Sequence, residues 1–182
     1  MIGLIILILL IVAFYVGGRR GAPLQISYSV GYLIAFIVAC SKYQGLAKKL
    51  ELYIPYLSVT QDSKLVFYTM EQALDLDKSY YAAVAFIIIL FVGWLITKFL
   101  GIFLYNLRFK RMTENFDWLI SGILNVLTVY LVIFLLLSVL SMIPLATVQN
   151  LFRKSFAART IVEHSLFFSN FFEGLWFTNI LK

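Results

Sequence analysis

Charge is scarce in this sequence. Asp, Glu, Lys and Arg make up 13% of its 182 residues, about half the share of an ordinary soluble domain. So little charge excludes a disordered, charge-solvated chain. With 62% of residues hydrophobic, it also excludes an ordinary soluble enzyme, whose interior at this length cannot hide so much apolar side chain. Cysteine is reduced to Cys40. A single thiol allows neither an internal disulfide nor a zinc cluster, and Cys40 reads as a small buried hydrophobe. Histidine is reduced to His164, with no second ligand or nucleophile grouped near it for a metal site or a triad. The Gly-Gly-Arg-Arg-Gly run at 17–21 lacks the preceding strand and the Lys-Ser/Thr of a phosphate loop. The chain is therefore expected to be non-enzymatic and to need no cofactor.

Long apolar runs are what the sequence has. Four of them, over residues 2–18, 22–40, 80–104 and 118–143, predict an all-α polytopic membrane protein with four transmembrane helices, built as a single membrane domain over 1–182. The first run is short. No basic residue precedes it and no small-x-small cleavage site follows, so it reads as a retained anchor rather than a signal peptide. The net charge of +6 is read as membrane orientation. No basic, aromatic-interleaved patch points to nucleic acid.

Two spans carry small residues four apart: Ser27, Gly31, Ala35 and Ala39 in the second, and Gly93, Thr97 and Gly101 in the third. Residues at that spacing share a helix face, and small side chains let backbones approach closely in lipid. These are the expected helix-packing faces. Polar residues inside the spans are few. Gln25, Lys98, Asn125 and Thr128 are the candidate lining of any pore, with Ser27 beside them. Lys98 stands ten residues before Arg108, about 15 Å along a helix. Its stem could snorkel to the headgroups or its charge could line an ion path; both readings stay open.

Residues 41–79 form a long connection. Leu46, Leu50, Tyr53, Ile54 and Leu57 follow an amphipathic pattern that Pro55 should end, and a second short helix is expected at about 63–74. The segment reads as helices lying on the membrane surface, or equally as a small folded cap. The tail, 145–182, mixes aromatic and charged residues. It is expected to form an interfacial or core-capping pair of amphipathic helices with a break near Ser169–Asn170. Thr113 or Asp117 is expected to cap the fourth span, with Glu114 solvated nearby. Arg19 and Arg20 follow the first span and Arg108, Lys110 and Arg111 follow the third. These short arginine-dense loops are placed in the cytoplasm, which puts the N-terminus, the 41–79 loop and the C-terminus outside.

The order of these parts has a counterpart. A short apolar helix ends in an arginine–glycine turn, GGRRG; a helix rich in small residues follows at once, LQISYSVGYLIAFIVAC. A basic loop with an acidic residue enters the last span, RFKRMTENFDWLISG, and the tail reads VQNLFRKSFAARTIVEHSLFFSNFFEGLW. Over essentially its whole length the chain resembles the colicin V production protein family (CvpA), small bacterial membrane proteins. The resemblance lays Gly18, Arg20 and Gly21, with Arg19 among them, on the family's arginine–glycine turn. It lays Asp117 and Gly122 on the aspartate and glycine that open its last span. Members often have an Arg after that aspartate and more glycines beyond it, where this chain has Trp118, Asn125 and Thr128. The resemblance implies the bacterial cytoplasmic membrane and a context of toxin production, export or envelope tolerance.

The expected function is an accessory or regulatory role in toxin or peptide export or in envelope homeostasis; the alternative is an oligomeric channel or transporter for small solutes or anions. The expected partners are the lipid bilayer, a second copy of the chain and an export or envelope protein, with no nucleic acid. Replacing both Arg19 and Arg20 by Glu is expected to invert or scramble the first helix. Labelling of a cysteine introduced at the N-terminus in intact cells reads this, and unchanged labelling refutes the assignment.

Overall fold

The computed structural model describes residues 2–57, 59, 65–73, 75–110, 116–165 and 167–178. Among these residues the regular structure is helical throughout, with no strand. The helices are α1 (Ile2–Gly18), α2 (Ala22–Leu50), α3 (Met70–Ala73), α4 (Leu76–Phe103), α5 (Asp117–Ser141), α6 (Ala146–Lys154), α7 (Phe156–His164) and α8 (Phe168–Glu173). A 3₁₀ turn covers Tyr105–Phe109 and a π-helical turn Gly174–Thr178. Three helices, α2, α4 and α5, are long and apolar enough to cross a membrane. The apolar α1, at 17 residues, is about 25 Å long.

Two of the expected span limits move. The second apolar run does not stop at residue 40; α2 continues unbroken for 29 residues, about 44 Å. Nothing between Ser41 and Leu50 breaks a helix, and Lys48 and Lys49 in its last turn suit the negative end of the helix dipole. The amphipathic segment expected after the span is thus the end of α2 itself. The chain leaves the helix through turns in which the Tyr53 and Ile54 amides donate to Leu50 O, just ahead of Pro55. The third span starts earlier than expected, at Leu76. Between Leu52 and Thr69 the described residues are not helical, so of the helix expected at 63–74 only Met70–Ala73 is found. Ser63, Lys64 and Leu74, like Arg111, Thr113, Glu114 and Lys182, lie outside the described residues.

The chain divides into two compact units. The first comprises residues 4–41 and 88–132. In it α1 runs antiparallel to α5: Phe14 packs on Gly122, and the Gly17 position faces Ser121 and Asn125. α2 runs antiparallel to α4, with Tyr28 against Gly101, Gly31 against Thr97 and Ala35 against Gly93. The two small-residue stripes therefore face each other. A Cβ at Gly31 would stand 2.5 Å from Thr97 Cγ2, so the backbones approach as closely as glycine permits. The outward faces carry exposed Leu4, Ile8, Ile11, Leu33, Ile37, Phe99 and Leu127, the surface that hydrocarbon covers.

The second unit comprises residues 1–3, 42–87 and 133–182. Its core is aromatic. Phe172 sits 4.7 Å from Trp176, 5.3 Å from Phe86 and 5.5 Å from Phe134, ring centre to ring centre, within the range where rings attract beyond simple burial. The tail breaks at Ser155 and around 165–167, not at Ser169–Asn170, which lie inside α8. Serine hydroxyls place those breaks. Ser155 Oγ accepts from the Ala158 amide and caps α7, while Ser165 Oγ donates to Ile161 O and Ser169 Oγ to Val162 O. Such local bonds compete with helix continuation.

Tyr56 and Val66 are tied to the end of α5 and to α6. A helix C-terminus leaves carbonyls without partners, and here the carbonyls of Ser141, the last residue of α5, and of the two residues after it are answered. Gln149 Nε2 donates to Ser141 O at 3.0 Å and to Ile143 O at 2.9 Å. Tyr56 Oη donates to Met142 O at 2.7 Å. The Gln149 amide oxygen accepts from Val66 N, which pins the connection. These bonds attach Tyr56 and Val66 of the connection to the α5–α6 corner.

Gly31→Leu is expected to lower the melting temperature in detergent, a loss of about 1–3 kcal/mol from overpacking. Gly45→Leu, where an added Cβ meets nothing within 4 Å, should leave it unchanged or raise it. Equal losses at both positions would show that the α2–α4 contact is not close.

Candidate functional site

The turn between α1 and α2 begins the site. Arg20 N donates to Gly17 O at 2.9 Å, which closes the end of α1. Gly21 then takes φ +81°, a left-handed conformation that side chains with a Cβ resist. A Cβ there would also lie 3.3 Å from Asp117 Oδ2. Pro23 sits in the first turn of α2, where its missing amide costs nothing. Asp117 Oδ2 accepts from the Ala22 amide at 2.9 Å. The aspartate expected to cap its own helix caps the neighbouring one, adding negative charge at the positive end of α2.

Eight residues along α5, Asn125 ties three segments together. Its amide nitrogen donates to Ala13 O in α1 at 2.6 Å. Its oxygen accepts from Gln25 Nε2 in α2 at 3.4 Å and from Arg20 Nη1 in the turn at 3.2 Å. Arg20 Nη1 also donates to Gln25 Oε1 at 3.2 Å. Ser121, one helical turn earlier on the same face, donates its hydroxyl to Gly17 O. Gln25, Ser121 and Asn125 are all buried, where an unmatched polar group would cost about 1–3 kcal/mol.

The remaining expected residues separate by what they bond. Ser27, Thr97 and Thr128 donate to carbonyls four residues earlier in their own helices. Ala39 is fully buried and Ala35 nearly so. Gly18 packs against Trp118, and Arg19 is exposed. Lys98 points its ammonium at the Tyr28 ring, 4.1 Å from the centroid, and the Arg20 guanidinium carbon lies 5.6 Å from the same centroid. Gln25 and Asn125 are thus brought together with Arg20, and Lys98 joins them through Tyr28. Thr128 does not join.

Sequence reasoning missed Ser121, Gly17 and Tyr28 as members of this cluster. Ser121 and Asn125 are four apart, so the spacing that found the small-residue stripes would have paired them. Nothing in the sequence marks Tyr28.

The second unit holds a cavity of about 260 Å³. Tyr68, Phe134, Phe172, Trp176, Glu163 and Glu173 are among its walls. Tyr68 Oη and Ser141 Oγ are 3.0 Å apart; burial, with the nearby Glu173 charge, pushes the Tyr68 phenol up to about 12. Burial and the Asp77 charge raise the Tyr56 phenol as well. Trp176 Nε1 is buried with no acceptor among the described residues. His164 lies at the surface with Nδ1 3.8 Å from Glu163. No group of three or more metal-ligating side chains is found among the described residues.

The model of the colicin V production protein family matches residues 2–166. The chain belongs to this family. It is also similar to the uncharacterized transmembrane protein YshB of Bacillus subtilis strain 168, with 29% identity over 177 residues and 97% of each chain covered. No solved structure matches it. In this member of the colicin V production family, the two stretches that carry the resemblance, the arginine–glycine turn and the start of the last span, are in direct contact. Gly21 lies against Asp117, and Gly18 against Trp118.

Asn125→Leu is expected to destabilise the detergent-solubilised protein by about 1–3 kcal/mol, because Ala13 O, Gln25 and Arg20 all lose a partner. Thr128→Val, which removes only a bond within α5, should cost less. Thermal unfolding of the two variants checks the order, and a reversed order would remove Asn125 from the centre of the cluster.

Proposed function

We propose that this protein is a non-enzymatic accessory or regulatory component of the bacterial cytoplasmic membrane, acting in toxin or peptide export or in envelope homeostasis. The observation that carries this reading is how the polar groups inside the apolar helices are used. Gln25 and Asn125 bond to each other and to Arg20, Ser121 and Asn125 bond to backbone carbonyls of α1, and Ser27, Thr97 and Thr128 bond to their own backbones. A water-filled path needs polar groups turned toward the water. Groups already matched inside the protein hold helices together instead, which supports a scaffold over a pore.

The tail helices α6 to α8, with the residues around Tyr56 and Val66 bonded to the α5–α6 corner, would supply the surface through which such a scaffold meets a partner. The arginine-dense turn at Arg19–Arg20 supports an orientation with that turn in the cytoplasm and both termini outside.

Purification of the tagged protein from its own membrane in mild detergent, with mass analysis of the intact complex, tests the reading. A stoichiometric second polypeptide, together with no anion flux in liposomes holding the chain alone, is the expected outcome. A ring of identical copies that passes anions would replace the accessory role with the pore.

A further inference from the structure

Among the described residues, two cations of the first unit have no anion beside them. Arg20 uses Nη1 on two neutral amides, Gln25 and Asn125. Its Nε–Nη2 edge bonds to no described residue, and neither do the donors of Lys98. The ion pairs among the described residues, Lys78–Asp75 and Glu163–His164, involve neither. Asp117 Oδ2, the carboxylate oxygen of this unit with a known bond, is 2.9 Å from the Ala22 amide. Both cations instead lie on one ring, Tyr28, which Gly101 lets pack tightly against α4.

A ring face attracts each cation but neutralises neither. Two like charges on one ring repel, and a lysine inside an apolar span is costly. The positive N-terminus of α2 adds to the same potential. An anion would relieve all of these at once. Arg20, Tyr28 and Lys98 are each only partly buried, so one can reach them. An open guanidinium edge suits two oxygens of one phosphate, and an ammonium adds a point charge.

We infer that Arg20 and Lys98, held on the Tyr28 ring, form a binding site for a phosphate group, either the headgroup of an anionic lipid or free inorganic phosphate. The site stands whether the chain serves as an accessory or not, since it rests on the charges and donors of this unit alone.

The test uses the full-length protein in detergent micelles. Native mass spectrometry compares retention of phosphatidylglycerol with that of phosphatidylcholine, and melting temperature is followed in inorganic phosphate against chloride at equal ionic strength. The expected result is preferential retention of phosphatidylglycerol, reduced about ten-fold, or about 1.4 kcal/mol, by Lys98→Gln and restored by Lys98→Arg. Lys154→Gln, an exposed cation in α6, should change nothing. Stabilisation by inorganic phosphate without a lipid preference, lost in Lys98→Gln, supports the same site with the free anion as its ligand. The proposal is overturned if the wild type distinguishes neither phosphatidylglycerol from phosphatidylcholine nor phosphate from chloride. It is equally overturned if Lys98→Gln, folded as judged by its melting temperature in phosphatidylcholine, binds as the wild type does.

Discussion

A polar group carried into an apolar helix bundle must find its partner inside the protein, because lipid offers none. The rest of the first unit depends on how Asn125 meets that constraint. Its one amide satisfies a carbonyl of α1, a side chain of α2 and the arginine of the turn between them. These bonds set the distance at which α1, α2 and α5 pack. Gly17 and Gly122 are the consequence: helices drawn that close leave no room for a Cβ at either position. Asp117 applies the same rule to backbone, answering a free amide at the start of α2.

The second unit solves the mirror problem at a helix C-terminus. The end of α5 leaves the carbonyls of Ser141 and of the two residues after it without helical partners, and Gln149 and Tyr56 take them. Gln149 does this from α6 while its own oxygen holds Val66. One side chain therefore fixes the α5–α6 corner and anchors the long connection. The aromatic core of Phe86, Phe134, Phe172 and Trp176 adds mass to this arrangement; the hydrogen bonds give it direction.

Polar matching and family membership bear on function together. The colicin V production family match covers residues 2–166, and the arginine–glycine turn within it is in contact with α5. Arg20 bonds there through Nη1 to Gln25 and Asn125. What distinguishes this surface chemically is thus unneutralised positive charge on an aromatic ring, beside helices whose other polar groups are already bonded.

Much of the helical architecture was legible in the sequence, for a physical reason. Apolar runs with small residues four apart report directly on burial and on which helix faces approach, so the Gly31 and Gly93 stripes could be read before their meeting was seen. The end of α2 was harder to read, because a helix needs no apolar run to continue, only the absence of a breaker and a suitable last turn. Local hydrogen bonds moved the tail breaks to Ser155 and Ser165, since any serine can cap a helix or sit within one, and neighbours decide which. The partners of Asp117 and Asn125 belong to tertiary structure alone. A carboxylate or amide in sequence declares only that it needs a partner. Residues about a hundred positions away supplied it, and only folding brings them within hydrogen-bonding distance.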